Sequence, residues 1–249
     1  MLKPLRVLQT GRSSGRWNTA LSAALLRERA REGACDLLRF YSFAPCLLLG
    51  QTQDINAAAA VRRLSSSGVE VARRVTGGGA VYMSQTMLAW DFLTAFSSER
   101  EILSERVGAA LATALGGLGW PAAAFAPPND IMIEGRKVSG AATASRGQAF
   151  LHQGTLLLRD ERQAMAQALG VSVAVLRDRV SCLEHHGSLP NPEALQAAIV
   201  EALATEFALQ PESSALTSRE RVYAEEEFAA EVGCDAYVLG YEVAEGGQP

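Results

Sequence analysis

Lysine is almost missing from this chain of 249 residues: of its 23 basic residues, only Lys3 and Lys137 are lysines. Positive charge is not in surplus either, because the formal net charge is −4. That balance argues against a nucleic-acid binder, which carries a basic excess. No apolar run approaches the roughly 18 residues of a membrane span, so no membrane partner is expected. Met1 to Gly11 lacks the apolar stretch of a secretory signal. Cysteine is scarce, at positions 35, 46, 182 and 234 with no C-x-x-C pair. This reads as reduced thiols in a cytoplasmic protein. What remains is an ordinary globular composition, 48% hydrophobic and 20% charged, suited to a single domain over residues 1–249.

The pattern along the chain predicts an α+β fold, a mixed central β-sheet flanked by helices. Residues 4–9 read as a strand, and Ser13 or Ser14 caps a helix carrying Trp17, Leu21 and Leu25 at helical spacing. Strands are expected at Leu37 to Tyr41, Cys46 to Leu49, Val69 to Val75, within Val81 to Phe92, and at Ala149 to Leu158, the last central. Asp54 caps an alanine-rich helix that stops near Gly68. Ser98-Glu99-Arg100-Glu101 fits a capping box, opening a helix that ends near Gly116-Gly117. Ile131 to Val138 reads as a hairpin with Gly135 in its turn. Further helices are expected at about 160–169, 172–178 and 192–207, the last opened by Asn191-Pro192. Thr217-Ser218-Arg219-Glu220 is a second capping box, for a final helix to about Val232. Residues 190–242 thus form a helical C-terminal extension, with a loose tail from 243.

Three segments carry chemistry. Arg73-Arg74-Val75-Thr76-Gly77-Gly78-Gly79-Ala80-Val81 is a glycine-rich turn entered from a basic pair. Three glycines let the backbone approach a ligand closely, and successive N–H groups can form a concave anion site. Asn129-Asp130-Ile131 leads into Gly135-Arg136-Lys137-Val138-Ser139-Gly140. A chain that uses arginine almost everywhere keeps a lysine here, a compact ammonium able to sit between a carboxylate and a phosphate. His152-Gln153-Gly154-Thr155-Leu156-Leu157-Leu158 combines a second close-approach glycine with apolar residues able to line a slot. Taken singly, each segment also reads as an ordinary turn or core strand.

In this order the motifs resemble the lipoate–protein ligase family and its wider group of biotin ligases and octanoyltransferases. Asn18-Thr19-Ala20-Leu21, Arg39-Phe40-Tyr41 through Gly50-x-x-Gln53, and Arg179-Val180-Ser181-Cys182-Leu183 echo the same family. The match covers about residues 5–185. It implies a class II synthetase-like catalytic domain without the C-terminal accessory domain that many such ligases add. It also implies a two-step reaction: lipoate (or octanoate) and ATP with Mg²⁺ give an acyl-adenylate, and a lysine of an acceptor lipoyl-domain protein takes the acyl group. By resemblance Lys137 is catalytic and contacts the acyl carbonyl and phosphate. Arg74, Thr76, Gly77, Gly78, Gly79 and Ala80 then border the pocket, with Gly154 and Thr155. Asn129 and Asp130 address the nucleotide, Asp130 also as a Mg²⁺ ligand, and the acyl chain lies along Val81 and Leu156.

The chain departs from the family pattern at three places. Met83-Ser84-Gln85-Thr86-Met87 stands where the family shows His-Asp-x-Gly-Asn. Gln153 stands where a histidine is common. Ala144 stands where a basic residue usually follows the lysine, with Arg146 nearby. Two alternatives stay open on the sequence. One is an octanoyl- or lipoyltransferase using Cys182 as its acyl nucleophile. The other is a non-catalytic lipoyl-adenylate-binding subunit of a two-chain ligase. A separate accessory subunit is a possible partner. Cys182 with His185 and His186 lacks the spacing of a four-ligand zinc site.

Overall fold

The computed structural model describes residues 2–53, 69–96 and 99–239. The helix expected from Asp54 to Gly68, the serine of the Ser98 capping box and the tail beyond 242 lie outside the described residues.

An eight-stranded sheet forms the centre, in the order β11-β1-β2-β6-β10-β9-β8-β7. Its strands are β1 (Lys3–Ser13), β2 (Asp36–Phe43), β6 (Met87–Ala95), β7 (Ala124–Ala126), β8 (Asp130–Ile133), β9 (Arg136–Arg146), β10 (Ala149–Leu157) and β11 (Leu209–Ser214). The pairs β11–β1 and β1–β2 are parallel, and the pairs from β2 outward to β7 are antiparallel. The fold is therefore the mixed α+β sheet expected, with β10 inside it. A second sheet of three short strands holds β3 (Cys46–Leu49) between β4 (Glu70–Arg73) and β5 (Val81–Met83).

Period-two alternation along the strands supplies both faces of the large sheet. Leu38, Phe40, Trp90, Phe92 and Leu156 point one way. They pack on α2 (Arg100–Gly117) and α5 (Pro192–Phe207) through Val107, Leu111, Ile199 and Leu203. Leu37, Leu93 and Leu151 point the other way, against Leu21 and Leu25 of α1 (Gly15–Arg29). Helix α1 covers part of this second face. The small sheet packs on another part, and its core holds Tyr41, Leu48, Met87 and Leu157.

Helix starts follow the local chemistry. The Ser14 side chain accepts from Trp17 N–H, and Asn191 accepts from Ala194 N–H with Pro192 in the first turn. Thr217 and Glu220 form the reciprocal capping box of α6 (Ser218–Glu227). Glu220 also takes Arg6 at 2.5 Å, tying α6 to β1. Several results differ from the sequence reading, the short strand β7 and the length of β9 among them. β11 was not expected: Leu-Gln-Pro-Glu-Ser-Ser shows no alternation, but parallel pairing with β1 holds it at an edge, where Pro211 is tolerated. The helix starting at Ser218 passes at Phe228 into a single π-helical turn, Phe228–Val232. A short helix, α7 (Asp235–Leu239), then follows.

The C-terminal segment is hooked to the small sheet by Arg73. Its Nε donates to the carbonyls of Tyr237 and Val238, and its Nη1 to those of Gly50, Gln51 and Gln53. Arg16 adds a bond to Gly233 O at 2.8 Å and a pair with Asp235 at 2.6 Å.

Candidate active site

A cavity of about 410 Å³ lies where the two sheets face each other. It is lined by the Gly77–Gly79 turn, by Asn129 and Lys137, and by apolar residues that include Met165 and Leu169 of α3 (Arg162–Leu169) and Leu176 of α4 (Val173–Arg179).

The glycine turn is shaped from below. Gly78 has φ +97°, a left-handed value open to glycine. Gly50 packs so tightly beneath it that a β-carbon there would lie 1.8 Å from the Gly78 carbonyl oxygen. Arg74 Nη2 donates to the carbonyls of Gly77 and Gly79 at 2.6 and 2.9 Å, and its Nη1 to Leu48 O at 3.1 Å. The carbonyls are thus turned toward Arg74. Among the described residues, no main-chain hydrogen bond uses the N–H of Gly77, Gly78 or Gly79 as donor. Burial draws the Arg74 pKa down to about 10, so the guanidinium remains charged at neutral pH, and no carboxylate pairs with it among the described residues. A buried cation beside N–H groups that make no main-chain bond among the described residues favours anions.

On β9, Lys137 Nζ pairs with Asp130 Oδ1 at 2.7 Å, with 39% of the lysine side chain exposed and so reachable. Gly140 makes that position possible, since a β-carbon there would lie 2.5 Å from Lys137 Cε and 2.6 Å from Nζ. The Asn129 side-chain amide donates to Ala141 O, and Ala141 N–H donates to Asn129 O at 2.9 Å, which fixes β8 against β9. From the other side, Ser181 N–H donates to Lys137 O at 2.9 Å.

The fold brings most of the residues singled out in the sequence to one place. Arg74, Thr76, Gly77, Gly78, Gly79, Ala80, Val81, Asn129, Lys137, Gly154 and Thr155 border the cavity. Three do not. Leu156 points to the opposite face, into the core with Trp90, and the wall position belongs to Leu157. Asp130 stands behind Lys137. Cys182 is buried in the core of the small sheet, and burial pushes its thiol up to about 11, the reverse of what a thiolate nucleophile needs. Gly154 reaches the cavity through its backbone. Its missing side chain makes room for Trp90, whose ring would lie 2.1 Å from a β-carbon.

The donor atoms of Cys182, Glu184 and His185 lie within 4.8 Å of one another. Glu184, however, already accepts from Asp160 N–H at 2.6 Å and Arg159 at 3.3 Å. With the thiol held protonated, the trio is a hydrogen-bonded turn.

Sequence reasoning missed the methionines. Met83, Met87 and Met165 all line the cavity. The first two occupy the ends of the segment that departs from the family pattern, and that departure was the available signal.

The comparisons bear on the family and the fold. Residues 14–207 match the family model described as lipoyl protein ligase A/B catalytic domain. The lipoate-protein ligase LplJ of Bacillus subtilis is 32% identical over 135 residues, 54% of this chain and 40% of that protein. A putative lipoate-protein ligase A of Aeropyrum pernix is 30% identical over 155 residues, 61% of this chain and 57% of that protein. The chain spans about half the length of the curated relatives it matches. Among solved structures, a bipartite lipoate protein ligase from Thermoplasma acidophilum, studied with its E2 lipoyl domain, superposes with a TM-score of 0.87 at 22% identity, covering 98% of this chain and 99% of that one. A lipoate-protein ligase A bound with ATP gives a TM-score of 0.85 at 22% identity, covering 96% and 99%. At such identity these structures establish the shared fold.

Proposed function

This chain belongs to the lipoyl protein ligase A/B catalytic domain family, and from that premise we propose that it is an ATP-dependent lipoate–protein ligase. In the first step a carboxylate oxygen of lipoate or octanoate attacks the α-phosphorus of ATP. The bond to pyrophosphate breaks and an acyl-adenylate forms. In the second, the amine of an acceptor lysine attacks the acyl carbonyl, releases AMP and loses a proton.

One observation carries this reading: Lys137 Nζ, paired with Asp130, and a glycine turn whose N–H groups make no main-chain bond among the described residues line the same largely apolar cavity. Step one brings a carboxylate to a phosphate, so negative charge concentrates where the ammonium and the turn converge. Fixing both reactants there supplies much of the rate. The apolar, methionine-lined end suits a C8 chain. Mg²⁺ arriving with the nucleotide would be held mainly by phosphate oxygens; Asp130, outside the cavity lining and with one oxygen already paired with Lys137, would supply at most its other carboxylate oxygen.

The acceptor proposed is a lipoyl-domain protein, in keeping with the Thermoplasma acidophilum system. That bipartite relative also supports a separate accessory subunit as partner. A cytoplasmic location is part of the proposal, supported by cysteines that are all free. The cysteine-dependent transferase loses support from the buried, protonated Cys182.

The test is pyrophosphate release by the purified chain with MgATP and lipoate, octanoate or no acid, with the acyl-adenylate identified by mass. Acid-dependent release is expected, and Lys137→Ala should lower it by about 10²–10³-fold, the range for losing one charge-stabilising donor. Folded protein that releases no pyrophosphate, alone and with an accessory subunit added, would overturn the reading.

A further inference from the structure

Beneath the glycine turn a row of polar side chains crosses three strands of the large sheet. Arg39 of β2 stands opposite Asp91 of β6, and Asp91 opposite Gln153 of β10, as direct cross-strand partners. Arg39 and Asp91 are fully buried and 3.1 Å apart. Such a pair is poor evidence for stability, since desolvation offsets most of its attraction. What it does here is set direction.

A carboxylate can only accept hydrogen bonds. Asp91 Oδ2 accepts from Ser22 at 2.7 Å and from Arg39, and Oδ1 accepts from Tyr41 OH and from Gln153 Nε2, both at 2.9 Å. Burial, with Asp91 alongside, holds the Tyr41 phenol in its protonated, donating form. The Gln153 amide therefore turns its NH₂ to Asp91, and its oxygen is left facing Thr76. Thr76 Oγ1 donates to that oxygen at 3.2 Å. Thr76 is fully buried and begins the glycine turn, so the chain of bonds runs Arg39, Asp91, Gln153, Thr76, Gly77.

We propose that Gln153 is a positioning residue: the buried Asp91–Arg39 pair fixes which end of its amide meets Thr76, and through Thr76 it holds the glycine turn in the shape that aims its N–H groups into the cavity. The inference rests on the ligase reading for its consequence in catalysis, but the geometry of the turn can be measured without it.

Thr76→Val keeps the shape and removes the donor. It should lower kcat for acid-dependent pyrophosphate release 10- to 100-fold (about 1.4–2.7 kcal/mol), with the KM for the acid changed less than about threefold. Thr76→Ser should restore kcat to within about threefold of the natural protein.

Gln153→Glu supplies the discriminating readout. Ionised, it opposes Asp91 and cannot donate, whereas protonated it donates to Asp91 and accepts from Thr76, as the amide does. The titratable groups bonded to it are Asp91 and Tyr41, with Arg39 paired to Asp91 beyond them. Its activity relative to the natural protein should rise as pH falls from 8 to 5.5. A flat ratio, or Thr76→Val with unchanged kcat, would overturn the proposal. If Thr76→Val does not fold, the Gln153→Glu profile decides alone. If the natural protein activates no acid, the ligase reading fails separately. The ¹⁵N amide signals of Gly77–Gly79 then decide, since they should shift in Thr76→Val and return in Thr76→Ser.

Discussion

Gly140 shows how a residue without a side chain can control one with charge. Lys137 lies over it on the way to Asp130. Gly140→Ala should push the ammonium off that path while leaving the fold in place, because a flexible lysine yields more readily than backbone does. Acid-dependent pyrophosphate release should fall about tenfold or more, with the melting temperature nearly unchanged. His152 is the other residue with a measurable consequence. It is buried on the Trp90 face of β10, and among the described residues neither ring nitrogen bonds another side chain or a neighbouring residue. Burial lowers its pKa from 6.5 to about 4, opposed in part by its own main chain. The unfolded chain therefore binds a proton between pH 6.5 and 4 that the folded chain refuses, and stability falls as pH drops through that window. The difference amounts to about 3 kcal/mol at pH 4. His152→Leu removes it, so denaturant unfolding of the variant should lose less stability between pH 7 and 4 than that of the natural protein. Equal losses would show that the imidazole titrates normally.

At the scale of elements, strands with alternating apolar residues and helices with polar caps were legible in the sequence. So was the β8–β9 hairpin, where Glu134 and Gly135 both take positive φ as a two-residue turn requires. Arg74, Thr76 and Lys137 were legible as members of one site because their motifs keep a recognisable order. What stayed hidden depends on pairing across the sheet. Nothing in the local pattern says that Arg39, Asp91 and Gln153 form one row, because that register follows from three strands distant in sequence. Leu156 and Leu157 were interchangeable on composition, and only the pleat decides which meets the cavity. β11 was invisible for the same reason, its stability residing in β1. The loop beneath the glycine turn offers a test at this scale. Gly50→Ala puts a β-carbon against the Gly78 carbonyl, which is backbone and cannot swing aside. The turn must shift, so activity should fall at least tenfold and stability by about 1–3 kcal/mol, as read by pyrophosphate release and urea unfolding.

At the scale of the whole molecule, Arg73 joins the end of the described chain to the loop beside the cavity by reading carbonyls from both. Arg73→Met should leave several buried carbonyls without a donor and cost about 2–4 kcal/mol. The melting temperature should then drop by roughly 5–15 °C. Loosening at residues 50–53 should also raise the KM for the acid, a coupling that simple loss of stability would not produce. The scarcity of lysine bears on the molecule in another way. A mixed anhydride of an acid and AMP reacts with any primary amine it meets. Lys137 is held as an ammonium partner of Asp130, and Lys3 lies at the start of β1, away from the cavity. Arginine supplies the rest of the positive charge with groups that stay protonated and do not attack an acyl carbonyl. On the ligase reading proposed above, the surface would thus offer an acyl-adenylate few side-chain amines, and an activated acyl group that drifted from the cavity would find its nucleophile on another protein.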